Sequence, residues 1–464
     1  MGAAVSQLNT LFARHALLPQ GWSRDVLLAW DAAGDLMQVT ENAAPPTGVE
    51  VAEYVLPGMV NLHSHAFQRA LGGMTEKAGA TASHAPDSFW TWRDLMYRFA
   101  RHITPEQIAT IAAQLFAECL RHGYTAVCEF HYLQRDAQGA LYARPAETAE
   151  KVIQAARLSG IGITMLPVLY SHAGFGEQPL KPEQARFRTG VDDVLSIVEA
   201  LAPLRDGQTE VGFAPHSLRA ASVSQIREVV AALPPERPLH IHIAEQQGEV
   251  RQCLDFSGRR PVQYLYDQLD VDGRWCLVHA THLQADEVAQ LAASGAVAGL
   301  CPTTEANLGD GLFPLAEFLA AGGSFGIGSD SHVSQSPVEE MRWLEYGQRL
   351  LRQQRNIAAT KEQRQVGDYL WQTALQGGAQ AAGRKLGALA PGKRADLLVL
   401  DDTHVNLAGV ALADVLGSFL FCGNDNLVRD VLCGGQWQVR HGRHVAQDAI
   451  AAAYKRTLAQ LRAL

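Results

Sequence analysis

Through the middle of the chain, short apolar runs alternate with longer stretches whose apolar positions recur every three or four residues. The first pattern predicts buried strands and the second amphipathic helices. Strands are expected at 58–62, 124–130, 163–169, 210–215, 239–243, 276–279, 296–301 and 325–329. Helices are expected at 104–121, 145–159, 190–203, 222–232, 261–269 and 284–293. The first helix opens on Thr104-Pro105-Glu106, a cap residue, a proline at the first helical position and an early acid. Eight strands alternating with helices over about 270 residues predict a closed (β/α)8 barrel.

The two ends of the chain have a different texture. Val26–Trp30 and Leu36–Val39 flank Asp31-Ala32-Ala33-Gly34-Asp35, a strand, turn, strand pattern. After further helices at 336–353 and 366–382, Ala390-Pro391-Gly392 returns to a turn, followed by the apolar run Leu397–Leu400. A second hairpin is expected over 431–439, and a last helix over 446–462, packed on the outside. The expected fold is α/β: a TIM-like (β/α)8 barrel with a small β-sandwich domain built from both chain ends. Residues 1–56 and 386–464 supply the small domain, the latter with the terminal helix, and 57–385 the barrel.

Composition narrows the function classes. The chain has 464 residues, 47% of them hydrophobic, and a formal net charge of -9. It shows no Lys/Arg block of the kind that marks a nucleic-acid footprint. Any anionic substrate must be held by a few placed arginines, because the overall field would not attract it. The seven cysteines are odd in number and never form a C-x-x-C pair, so they read as reduced core residues of a cytoplasmic protein. No secretory leader and no membrane-spanning run is expected.

The chemistry starts at Pro57-Gly58-Met59-Val60-Asn61-Leu62-His63-Ser64-His65. Residues two apart on a strand share a face, so His63 and His65 converge on one spot. In a barrel of this kind the active site lies at the C-terminal ends of the strands. Those ends supply His216 on the fourth strand, His242 on the fifth with Glu245 three residues on, His279 on the sixth and Asp330 on the eighth. His63, His65, His242 and Asp330 form a three-nitrogen, one-oxygen donor set suited to one Zn2+, or Fe2+, with a position left for water.

The pattern PGxxNxHxH, then HxxE, then a strand-ending histidine, then Ser-Asp, resembles the deaminase branch of the amidohydrolase superfamily. Two-metal members carry a carboxylated lysine at a middle strand. Lys151 and Lys181 lie in helix or loop here, so one metal is expected. A narrower resemblance lies in His63–Leu71, Glu129–Tyr132, His242–Gln246 and Cys301–Gly311, which look like the formimidoylglutamate deiminase family. That resemblance implies hydrolysis of N-formimino-L-glutamate to N-formyl-L-glutamate and ammonia, in histidine degradation. It assigns Glu245, His279 and Asp330 to proton handling. It also implies a dicarboxylate site, for which Gln68, Arg93, Tyr132, His216 and Arg219 are the candidates. Arginine suits bidentate carboxylate binding. Thr303, Thr304 and Asn307 are expected either to line the pocket or to cap a loop, and the segment 72–103 to act as a lid or dimer contact. A homodimer is expected from the resemblance alone.

Two other readings stand beside this one. A deaminase of an aminopurine, pterin or guanidino compound would use the same metal but not the two arginines. A barrel serving only as a scaffold would show a broken donor set, whereas every donor is present.

Overall fold

A computed structural model describes residues 8–76 and 89–463. Its eight central strands are Met59–Ser64, Tyr124–His131, Gly162–Leu169, Thr209–Val211 with Ala214–Pro215, Leu239–Ile243, Trp275–His279, Val297–Leu300 and Ser324–Ile327. Neighbours in this series run parallel. The series divides into two hydrogen-bonded groups, and two parallel bridges join them, Phe213 to Leu239 and Ser64 to Asp330. The expected (β/α)8 barrel is therefore closed. The strands are buried along almost their whole length, as both faces of a parallel sheet require.

The seam between the first and eighth strands carries the metal-type residues. Asp330 N–H donates to the carbonyl of His63 at 3.0 Å, and His65 N–H donates to the carbonyl of Asp330 at 3.3 Å. The buried amide of Asn61 locks the same seam from the side chain. It donates to Ser329 Oγ at 2.6 Å and accepts the Ser329 backbone N–H at 2.9 Å. Gly328 allows the approach, since a Cβ there would lie 2.7 Å from the Cβ of His63. Behind the seam, helix Val366–Ala382 packs on both strands. A Cβ at its Gly377 would collide with the Phe325 carbonyl, so this helix too depends on close backbone contact.

Both ends of the chain enter one eight-stranded sheet. Its order is Arg443–His444, Gln436–Arg440, Val428–Cys433, Leu397–Leu400, Glu50–Pro57, Asn9–Leu18, Gly21–Trp30 and Leu36–Thr40. It encloses a small core of its own that includes Leu11, Val26, Leu28, Trp30, Leu397 and Leu432. Leu397 pairs with Pro57, and Gly58 N–H donates to the Asp396 carbonyl at 3.0 Å. The sheet thus ends where the first barrel strand begins, and it anchors the base of the strand that carries His63 and His65.

Outside the barrel, helix Pro105–His122 begins as its sequence requires. Thr104 Oγ accepts the Gln107 N–H at 3.3 Å, and Gln107 Oε1 accepts the Thr104 N–H at 3.0 Å. The terminal helix Gln447–Arg462 packs on that helix. Six of the seven cysteines are buried thiols, and only Cys422 is exposed. Among the described residues, no helix is long and apolar enough to cross a membrane.

Removing the Asn61 amide leaves the Ser329 N–H buried without its acceptor. Asn61→Ala is expected to lower the unfolding free energy by about 2 kcal/mol, read as an earlier urea midpoint.

Candidate active site

His63 and His65 point from the first strand into the C-terminal mouth of the barrel, where they meet His242 from the fifth strand. His63 Nε2 lies 3.2 Å from His65 Nε2 and 3.0 Å from His242 Nε2. Asp330 Oδ1 lies 3.5 Å from His63 Nε2 and 3.3 Å from His65 Nε2. Donors bonded tetrahedrally at about 2.1 Å would stand about 3.4 Å apart, so the spacing of His63, His65 and Asp330 fits a single divalent ion, with His242 adjoining through His63. Two imidazole nitrogens facing each other at 3.0–3.2 Å need either an N–H of one ring or a cation between them. The His63–His65–Asp330 and His63–His242–His279 trios each keep their donor atoms within 4.8 Å of one another.

The surroundings prepare these groups as ligands. His65 Nδ1–H donates to the Phe130 carbonyl at 2.9 Å, which leaves Nε2 with its lone pair toward the centre. Burial drives the His63 imidazole down to about 3 and lowers His65 and His242 as well, so all three are neutral, as metal ligation requires. Burial works to raise the Asp330 carboxyl. The facing imidazoles of His63, His65 and His279 outweigh it and hold Asp330 below the usual carboxylate range.

Next to this centre, His279 Nε2 lies 3.8 Å from Glu245 Oε1 and 3.9 Å from Asp330 Oδ2. Burial pushes the Glu245 carboxyl up to about 7, against the pull of His279. Burial alone would lower His279. Glu245, a hydrogen bond to Glu305 and Asp330 together raise it to about 10. The backbone here is unusual: Ala244, His279 and Asp330 all have positive φ, at +50°, +68° and +45°. Non-glycine residues seldom adopt that region, and it is a form of strain found at functional sites.

One cavity joins the cluster to the candidate carboxylate-binding residues. It is lined by His65, Gln68, Arg93, Tyr132, His216, Arg219, His242, Glu245, His279 and Asp330, with Phe89, Trp92, Met96, Tyr97, Tyr170, Phe187 and Leu308. Gln68 Nε2 donates to the Tyr132 hydroxyl at 2.7 Å. The His216 ring packs edge-on to Tyr170 and beside His242. The Arg93 guanidinium stacks 4.5 Å over the Trp90 ring and that of Arg219 lies 5.8 Å from the same ring. Among the described residues, neither arginine has an acidic side chain within salt-bridge distance, and the Nε of each is buried without a partner. Guanidinium groups placed this way are ready for an incoming anion.

All eleven residues named as metal, proton-handling or carboxylate-binding candidates reach this cavity or its metal-type centre. The residues after the seventh strand divide differently. Thr303 bonds Glu340 through both its backbone N–H and its hydroxyl, and Thr304 bonds Ser331. Asn307 donates to Glu76. None of these three lines the cavity, whereas Leu308 does. Within the segment 72–103, helix Phe89–Ala100 supplies Phe89, Trp92, Arg93, Met96 and Tyr97 to the cavity wall. Of the segment expected as a lid or dimer contact, residues 77–88 lie outside the described residues. Sequence reading did not find Asn61, Tyr97, Tyr170, Phe187 or Glu305 as parts of the site. The aromatic residues in flanking loops were the one available hint.

Barrel, strand-end donors and cavity together define a metal-dependent hydrolase. The chain belongs to the amidohydrolase family, whose model, described as "Amidohydrolase family", matches residues 54–438. It is 52% identical to a formimidoylglutamate deiminase of Pseudomonas aeruginosa, over 98% of this chain and 100% of that protein. An 8-oxoguanine deaminase of the same organism is 29% identical, over 86% of this chain and 84% of its own length. Among solved structures, an amidohydrolase from Brucella melitensis superposes with a TM-score of 0.93 at 41% identity, covering 98% of this chain and 100% of that one. A zinc-bound adenosine deaminase from Xanthomonas campestris shares the fold, with a TM-score of 0.80 at 20% identity over 98% of each chain.

If the four donors hold one ion together, Asp330→Ala and His242→Ala are each expected to cut bound metal from about one equivalent to under about a tenth. Elemental analysis of the purified variants reads this directly.

Proposed function

We propose that this chain hydrolyses N-formimino-L-glutamate to N-formyl-L-glutamate and ammonia. The observation that carries this reading is the pairing, in one cavity, of the His/Asp/Glu cluster with two guanidiniums that lack acidic partners among the described residues. The substrate has the same two parts, an amidine carbon to be attacked and a carboxylate-bearing tail to be held. The 52% identity to a formimidoylglutamate deiminase supports the same substrate.

His63, His65, His242 and Asp330 would hold the metal, which we read as zinc with iron(II) as the alternative. When bound, such an ion supplies Lewis acidity that brings the pKa of water toward neutrality. The remaining work falls to side chains of this chain. His279, held protonated against its burial by Glu245, Glu305 and Asp330, stabilises the charge developing on the attacking oxygen through its Nε2–H, while the water proton passes to Asp330. Glu245, held partly protonated by burial, gives a proton to the imino nitrogen, and Asp330 can hold a proton as the tetrahedral centre collapses. The carbon–nitrogen bond then breaks and ammonia leaves. Arg93 and Arg219 hold the carboxylates, while Gln68, Tyr132 and His216 fill the space between them and the reacting carbon. We read the enzyme as a cytoplasmic homodimer. The exposed Trp343, Leu350 and Leu351 on helix Pro337–Arg352 offer apolar surface for a second copy.

Ammonia release from N-formimino-L-glutamate, beside a panel of aminopurines, pterins and guanidino acids, tests the reading. Rapid release from the diacid alone is the expected result, and release only from another compound would overturn the substrate assignment. Glu245→Gln is expected to keep its metal and lose turnover by about a hundredfold or more. Arg93→Ala and Arg219→Ala are each expected to raise KM for the diacid by at least about tenfold, the loss of one charge-assisted hydrogen bond.

A further inference from the structure

Trp90 has no part in the chemistry above, yet it meets both candidate carboxylate holders. It lies in the first turn of helix Phe89–Ala100, which covers the cavity. The Arg93 guanidinium lies 4.5 Å over its ring and 5.4 Å over that of Tyr97, and the Arg219 guanidinium lies 5.8 Å from the Trp90 ring. The indole is itself held by two further contacts. Phe89 packs edge-on to it, with centroids 5.0 Å apart. Helix Gln247–Ser257 meets it at Gly248, where a Cβ would lie 3.3 Å from Trp90 Cζ2. A side chain at 248 would press on the indole, so the glycine leaves the room that the ring occupies.

The two arginines stand in a wall between two spaces. Arg93, Tyr97 and Arg219 line the cavity that holds the His/Asp/Glu cluster, and they also line an outer hollow of about 580 Å³. Trp90 borders the outer hollow and does not line the inner cavity. Asp94, Glu183 and Asp255 line the outer hollow too. Two like charges beside one ring repel each other, and the outer acids attract each of them away from the inner cavity. The negative face of an aromatic ring opposes both effects, since it attracts a cation within about 6 Å, most strongly when the ring is tryptophan.

We propose that Trp90 is a positioning residue: its ring keeps the Arg93 and Arg219 guanidiniums at the inner cavity, ready for carboxylates, instead of paired with the acids of the outer hollow. The proposal rests on the reading that these two arginines hold the substrate's carboxylates. It makes the ring a determinant of affinity for the diacid, because Trp90 does not line the cavity where bonds are made and broken.

Steady-state kinetics of the metal-loaded, full-length protein on the formimino diacid tests this. Trp90→Leu is expected to raise KM by about five- to tenfold, the worth of a partly desolvated cation–π contact. It should leave kcat within about twofold of the parent, the signature of lost ground-state binding. Trp90→Tyr keeps an aromatic face beside the arginines and is expected to hold KM within about threefold of the parent. A general loosening of the covering helix would instead lower kcat as well, and a second ring would not restore it. In an Arg93→Ala, Arg219→Ala background, Trp90→Leu is expected to change kcat/KM by less than about twofold, because nothing remains for the ring to hold. An equal loss with and without the arginines would overturn the proposal. Parental KM in Trp90→Leu, beside raised KM in the single arginine variants, would overturn it too and leave the substrate reading intact. If the diacid is not turned over, or if neither arginine variant alters KM, the substrate reading fails by itself. Crystal structures of the parent and of Trp90→Leu then decide the role of the ring without any turnover. Guanidiniums turned toward Asp94, Glu183 or Asp255 in the variant are the expected result, and guanidiniums at their parental places would overturn the proposal.

Discussion

The seam where the first barrel strand meets the eighth is the constraint on which the site depends. A parallel barrel must close, and here it closes through the backbone of the residues that face the metal-type centre. The His63 carbonyl takes the Asp330 N–H, and the Asp330 carbonyl takes the His65 N–H. Closing the sheet and bringing three donors together are therefore one event. Because neighbouring strands hydrogen-bond at a fixed spacing of about 4.8 Å, register at the seam sets the separation of His63, His65 and Asp330. A slip of one residue would turn both histidines away from the centre. The Asn61–Ser329 pair and the glycine at 328 hold that register in place.

Around the seam, burial and charge work against each other in a useful way. Removing water lowers each histidine and raises each carboxyl, so an isolated group would end up neutral. Asp330 escapes that fate because three imidazoles face it, whereas at Glu245 burial, with Asp330 and Glu249, outweighs the pull of His279 and Arg219. Two carboxylates within reach of one histidine thus take different protonation states, one suited to ligation and the other to giving up a proton. Environment, not residue type, divides the roles.

Much of this was legible in the sequence. The eight strands were readable because fully buried strands are near-continuous apolar runs, and the donors were readable because they end those runs. What was missed has physical causes. Strands Asn9–Leu18 and Glu50–Pro57 mix polar and apolar positions and gain their identity only by pairing with each other in parallel. Helix Gln247–Ser257 has a weak apolar stripe, with Glu249, Val250 and Cys253 its buried residues. The positive φ of Ala244, His279 and Asp330 leaves no trace at non-glycine positions, since it is imposed by the barrel mouth. Asn61, 268 residues from Ser329, and Glu305, 26 residues from His279, act through partners that no local pattern reveals.

The same contrast separates chemistry from recognition. The metal-type and proton-handling candidates sit on or just after strand ends, where the hydrogen-bonded barrel holds them. The carboxylate-binding candidates sit elsewhere: Arg93 on a helix beside the cavity, Arg219 and Gln68 on connections after strands. The relative at 29% identity is named for 8-oxoguanine and the relative at 52% for formimidoylglutamate. A change of substrate within such a family then requires new side chains on the loops and the covering helix, while the seam stays as it is. The arginines beside Trp90 are the candidates for that difference in this chain, since a neutral heterocycle would leave their guanidiniums without an anionic partner in the cavity. Neither Arg93 nor Arg219 has an acidic side chain within salt-bridge distance among the described residues, and that is the argument for an anionic substrate, because a neutral ring would bring them no counter-charge.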